Sequence, residues 1–290
     1  MPKRIAAVTM VYNEDVFLPL WARYYGRQFG ETSCYVIDHG SDDHVTAGLG
    51  KINIVRIPRS PMHDGKRANF ISNFCSALFE WYDAVVYCDV DEFLVADPAD
   101  YGSLPELIET MAPGSTLTAI GLEVIHAPDA DAPIDLAAPI LGQRRWARFS
   151  FAMCKPLLTT TPIRWVPGFH SSDQPTVFGR LFLFHLHHFD LNLSLKRLAK
   201  TRTMPWGDGP PDHYQRWPDE KLEQMHRSIA GLPKVEMSSF GDDDTVIGPY
   251  LAWIERFMSE NPDRRHVFYF NNGIDCAELL AIPERFWGMI

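Results

Sequence analysis

The sequence predicts an α/β protein built on a mostly parallel sheet with helices on both faces. Short apolar, β-branched runs recur along the first hundred residues, amphipathic helical patterns separate them, and each run ends in polar or acidic residues. Strands that alternate with helices pair in parallel and are buried on both sides, so they read as unbroken apolar runs.

The first run, RIAAVTMVY (4–12), is a buried strand, and VFLPLWARYYGRQFG (16–30) follows with helical spacing. Pro19 falls in the first turn of that helix, where its missing N–H costs little, and Gly30 ends it. SCYVID (33–38) and INIVRI (52–57) are the next strands, separated by a loop rich in Gly, Ser and Asp. In 65–82 the residues Ala68, Ile71, Phe74, Cys75, Leu78 and Phe79 form one stripe, which predicts an amphipathic helix. AVVYCDV (84–90) is then a strand, 103–111 a helix and 115–126 a strand. An Ala/Asp/Pro-rich loop (127–139) leads on towards a strand at 180–190 and a helix at 193–202. Residues 204–219 carry too much Pro, Gly and aromatic side chain for a regular element and read as a lid or binding loop. Helical patterns return at 219–230 and 245–260.

The 290 residues suffice for one sizeable core. A net charge of −10 argues against a nucleic-acid partner, which requires a basic stripe against phosphates. Five scattered cysteines among apolar neighbours, with no CxxC, read as reduced core thiols. The short apolar start breaks at Asn13-Glu14-Asp15, which supports neither a signal peptide nor a membrane span. The expected location is cytoplasmic, with a peripheral role at the inner face of a membrane left open.

The chemistry gathers at the strand ends. Asp89 and Asp91 close an apolar strand, two residues apart, and on an extended backbone both point to one side. Two carboxylates aimed at one point repel unless a cation sits between them, and magnesium or manganese meets nucleotide phosphates in this manner. A bare D-x-D also fits helix caps and surface ion pairs. The other strand ends add Tyr12, Asn13 and Glu14, then Asp38, Ser41 and Asp43, then Lys66 and Arg67 at a helix start. In an open α/β sheet ligands bind at that edge, and Asp38 suits a hydrogen bond to a base or ribose.

Together YNEDVFLPLWARYYGRQFG, VIDHGSDD and WYDAVVYCDVDEFL resemble glycosyltransferase family 2 in its broad sense, in particular the subgroup with a D-x-D-E-F motif related to glycosyltransferase family 92. CKPLL, GFH and LHHFDLNLSLKR are similar to that subgroup's later motifs, so the likeness spans roughly residues 5 to 200. It implies a GT-A fold over 1–203, a nucleotide-sugar-binding catalytic domain; the composition and helical patterns of 204–290, which the likeness does not reach, give a loop and helical extension packed on that domain. It also implies a UDP-, GDP- or dTDP-linked donor, a carbohydrate or lipid-linked acceptor, and Mn2+ or Mg2+ held by Asp91, Asp89 and His188. Reaction by a single inverting displacement needs one general base.

His188-Phe189 matches the family's His-aromatic pair, while His185 and His187 offer a competing H-x-H metal pair. His170 matches an isolated family histidine, and Lys155 and Arg148 are candidates for phosphate contact. The family's late Glu-Asp pair is missing between 93 and 200, which leaves Glu123, Asp173 and Asp190 for the base, with Asp173 and Glu123 preferred. Trp206, Tyr214 and Trp217 could stack on a sugar or close a core. Competing functions are a nucleotidyltransferase or nucleotide-sugar hydrolase on the same fold, and a non-catalytic nucleotide- or sugar-binding module.

Overall fold

The computed structural model describes residues 1–207, 213–237, 240, 244–261 and 276–290. The chain runs β1 (Ile5–Val11), α1 (Phe17–Phe29), β2 (Cys34–Asp38), β3 (Asn53–Arg56), α2 (Asp64–Leu78), β4 (Ala84–Tyr87) and β5 (Glu92–Ala96). It continues through α3 (Leu104–Thr110), β6 (Thr116–Ile125), β7 (Trp146–Phe149), β8 (Leu158–Thr159), β9 (Phe178–His185) and α4 (Leu191–Thr203). The last elements are α5 (Asp219–Ala230), β10 (Lys234–Val235), α6 (Gly248–Glu260) and β11 (Leu279–Ala281).

The centre is the parallel array β4-β1-β2-β3, with β1 between β4 and β2. This is the mixed α/β arrangement, a parallel centre with helices on both faces, that the alternating pattern predicts. Successive residues at the end of β4 show that its two faces carry different helices. The Tyr87 hydroxyl meets Arg67 of α2, and the Cys88 thiol accepts from the Tyr25 hydroxyl of α1. α1 buries Phe17, Leu18, Leu20, Trp21, Tyr24 and Tyr25 and stops at Gly30, whose φ of 83° a side chain would resist.

Beyond β4 the sheet changes character. β8 pairs antiparallel with β4 and β6, β7 runs antiparallel to β6, and β9 lies parallel to β6 and antiparallel to β5. Sequence reading missed β5, because the apolar run before Asp89 and the one after Glu92 look like one element. Between them Glu92 N–H donates to the Asp89 carbonyl, so Asp89 to Glu92 form a reverse turn. The expected extended backbone through both aspartates is therefore absent, and their carboxylates take different partners.

The strand expected at 180–190 ends at His185. His187 and His188 occupy the connection to α4, held by Leu186 N–H on the Asp91 carbonyl and by His126 N–H on the His188 carbonyl. Asp190 then caps α4 by accepting from Leu193 N–H. Of the expected loop 204–219, residues 208–212 lie outside the described residues. The segment after 204 contributes helices α5 and α6 and also two short strands, β10 and β11, which extend the sheet from β7. Strands of two or three residues are too short to show an apolar period, so β8, β10 and β11 left no sequence signal. A buried ion cluster ties this tail down. Asp97 accepts from Arg285 at 2.7 and 3.1 Å and pairs with Arg180 at 3.1 Å.

Candidate active site

At the carboxyl ends of β1 and β4, α4 and the segment after it close a cavity of about 240 Å³. Tyr12 and Glu14 come from the β1 end, Asp89 and Asp91 from the turn after β4, and Arg197 and Lys200 from α4. The spacing of Arg197 and Lys200 places both on one face of that helix.

Asp89 accepts from Tyr87 at 2.9 Å and from Arg67 on α2, with Lys155 at 3.9 Å from its other oxygen. Asp91, 4% exposed, gathers nitrogens around one oxygen. Its Oδ2 lies 2.5 Å from Arg197 Nη1, 3.3 Å from His185 Nε2 and 3.3 Å from His187 Nδ1. Burial opposes its ionisation, but Arg197 and His185 outweigh that and hold the carboxyl well below the usual range. On its other side His185 Nδ1 meets Glu123 at 2.9 Å. Burial works against a charged His185, yet Glu123 and Asp91 flank it and raise its pKa well above the ordinary value.

A carboxylate oxygen from Asp91 and ring nitrogens from His185 and His187 lie within 4.8 Å of one another. Imidazole and carboxylate together suit a first-row transition ion such as manganese better than magnesium, which favours all-oxygen shells. Ligation requires His185 to release its proton, which metal binding promotes. His188 takes no part in this cluster. Its ring faces those of His187, His226 and Tyr214, and burial with the nearby histidines pushes its pKa well below normal. Among the described residues, the group whose geometry could hold a metal ion is therefore the H-x-H pair with Asp91, while the Asp89 carboxylate is engaged by Arg67.

The remaining sequence candidates divide by what they touch. Tyr12 lines the cavity with the Arg59 guanidinium 3.6 Å over its ring. Glu14 holds Lys200 at 2.5 Å and Arg197 at 3.7 Å. Asn13, at φ 51°, donates its N–H to Ser41 Oγ and so ties the loops after β1 and β2 together. Asp38 is fully buried, accepting from Ser41 N–H at 2.8 Å and pairing with Arg56 at 3.2 Å, and exposed Asp43 shares that Arg56. Asp38 thereby shapes the loop that presents His39 to the cavity and does not itself line it. Lys66 is exposed, and its backbone N–H donates to the His63 cap.

Lys155 lies buried beneath the turn, 2.5 Å from Glu92. His170 sits behind it with Nδ1 2.5 Å from the Ala152 carbonyl, its pKa pushed down to about 3 by burial and by Lys155. Arg148 donates to the Cys276 carbonyl at 2.9 Å. Asp173 is exposed and accepts from Arg164 N–H, closing a turn away from the cavity. Glu123 reaches the site only through His185. Trp206 and Tyr214 line the cavity, and Tyr214 donates or accepts at His187 Nε2 across 3.0 Å, whereas Trp217 packs outside on Tyr214 and Lys221. Sequence reasoning did not single out Arg59, His39, Arg197 or Lys200. Only the two on α4 left a trace, as the basic helix after the histidines.

No protein-family model matches the chain, and no curated protein does. Among solved structures it is similar to a mannosyltransferase, PcManGT from Pyrobaculum calidifontis in complex with GDP-Man and Mn2+, at 12% identity and a TM-score of 0.31, over 42% of this chain and 36% of that one. It is also similar to a mycobacterial protein at 16% identity and a TM-score of 0.33, over 58% of this chain and 57% of that one. A third is mannose-1-phosphate geranyltransferase from Thermus thermophilus, at 12% identity and a TM-score of 0.31, over 78% of this chain and 67% of that one. The chain thus spans about a third and somewhat over half the length of the first two.

Proposed function

We propose that the protein is a metal-dependent inverting glycosyltransferase, moving a sugar from a nucleotide-sugar donor to a hydroxyl of a carbohydrate or lipid-linked acceptor. The observation that carries this reading is the mixed lining of one strand-end cavity. Asp91 and His187 line it, with His185 against Asp91 to complete the possible donor group, beside four cationic side chains, Arg59, Arg67, Arg197 and Lys200. A site with both a cation's ligands and fixed positive charge suits a diphosphate better than a neutral sugar.

When bound, a divalent ion held by Asp91, His185 and His187 would supply positive charge against the departing nucleoside diphosphate. Arg67 and Lys200 are already oriented, by Asp89 and by Glu14, towards the same space. Tyr12 with its stacked Arg59 offers a flat platform for the base. Trp206 and Tyr214, also in the cavity lining, offer apolar faces for a sugar ring. Of the two carboxylates proposed to take the acceptor's proton, Glu123 is wired to the site through His185, and Asp173 is turned away.

The test is product analysis with GDP-, UDP- and dTDP-linked sugars, manganese and a panel of glycan acceptors. The reading expects nucleoside diphosphate release that depends on both metal and acceptor. Release with water alone would identify a nucleotide-sugar hydrolase, and pyrophosphate release from a nucleoside triphosphate a nucleotidyltransferase. Tight nucleotide binding without any turnover would point to a binding module.

A further inference from the structure

We infer that Arg197 and a divalent cation are alternative partners of Asp91, and that the guanidinium released by the cation is the group that takes hold of the substrate's diphosphate. The inference rests on the metal reading above and adds a role for a residue on α4.

Three observations carry it. The Arg197 guanidinium sits among the ligand atoms, with Nη1 2.5 Å from Asp91 Oδ2 and 3.2 Å from His187 Nδ1. It therefore neutralises the same oxygen to which His185 and His187 converge, and two cations compete for one carboxylate there. Second, Arg197 has other anchors. Its Nε lies 3.7 Å from Glu14 Oε2, and its guanidinium carbon stands 4.6 Å over the Phe17 ring, so losing Asp91 does not leave the side chain unheld. Third, Arg197 lines the cavity beside Lys200, one turn along the same helix face. A guanidinium held at one edge presents its remaining N–H groups as a fork matched to phosphate oxygens.

This arrangement makes metal and nucleotide binding cooperative. The cation alone must displace Arg197, and a diphosphate arriving with it gives the displaced guanidinium a new partner.

The experiment measures Mn2+ binding by electron paramagnetic resonance, and GDP and UDP binding by calorimetry with and without Mn2+, for the wild type, Arg197→Ala and Arg197→Gln. Both variants should bind manganese alone roughly tenfold more tightly than the wild type, and manganese with GDP or UDP roughly tenfold more weakly, a factor corresponding to one charge-assisted hydrogen bond. The glutamine variant keeps a hydrogen-bonding side chain and guards against misfolding of the alanine variant, and the Mn2+-induced rise in melting temperature of both should exceed that of the wild type. Unchanged or weaker manganese binding in both variants overturns the competition. Tighter manganese with unchanged nucleotide affinity overturns the transfer to diphosphate. A wild type that takes up neither manganese nor manganese with nucleotide overturns the metal reading itself, and that result appears before any variant is made.

Discussion

Asp91→Asn removes the charge on which the candidate site converges while keeping nearly the same shape. In the wild type the side chain is 5% exposed and its Oδ2 is surrounded by Arg197, His185 and His187. The variant leaves Arg197 with Glu14 at 3.7 Å as its remaining carboxylate. Removing one partner of a buried ion pair costs about 3–5 kcal/mol. The amide still accepts a hydrogen bond and Arg197 keeps Glu14, so the lower end, about 3 kcal/mol, is expected. At roughly 2 °C per kcal/mol for a chain of this size, the melting temperature falls by about 6 °C. A second effect concerns metal. Manganese at about a hundred times its Kd adds about 2.7 kcal/mol to the wild type, and that increment should vanish in the variant. Scanning calorimetry with and without MnCl2, then with GDP or UDP added, reads both effects. A variant that melts lower yet keeps the full manganese increment would refute Asp91 as a ligand, and one with wild-type stability would refute the buried pair.

Asp97→Asn should destabilise the protein by about 3 kcal/mol by releasing Arg285 and Arg180, checked by urea unfolding. Burial opposes its charge, but Arg285 and the Ala99 N–H outweigh this and lower the Asp97 pKa. Its contribution is therefore present above the unfolded value of about 3.9 and lost as pH falls through the folded one. Wild type and variant should converge in stability in strong acid. Gly121→Ala should cost about 1–3 kcal/mol, because a Cβ there would meet the Met153 backbone at 2.4 Å and the Ser150 carbonyl at 2.6 Å; thermal melts that leave stability unchanged would count against that packing. Lys155→Met and Glu92→Leu should each destabilise strongly, whereas the double variant should recover most of the loss in a double-mutant cycle, since the pair is buried on both sides and only its breakage leaves an unpaired charge.

The parallel core was legible because burial on both faces writes a long apolar run, as in residues 4–12 and 84–87, and because the two connecting helices carry clear apolar stripes. The polar character of the strand ends was equally visible, and with it the edge of the sheet at which Tyr12, Glu14, Asp89 and Asp91 meet. Partner choice was not. Asp89 and Asp91 are equivalent on paper, yet a reverse turn sends one to Arg67 and the other to Arg197 and two histidines. His185 and His188 likewise differ only in where β9 ends.

Sequence by itself determined which segments are buried, which strand ends are charged, and that a basic helix follows the histidines, since these follow from local periodicity and capping. Tertiary structure alone decided that α4 brings Arg197 and Lys200 over the β1 and β4 ends, and that Arg59 stacks on Tyr12. Contacts between residues so far apart in sequence depend on how the chain folds back on itself, and no local pattern of apolar and polar residues records that path.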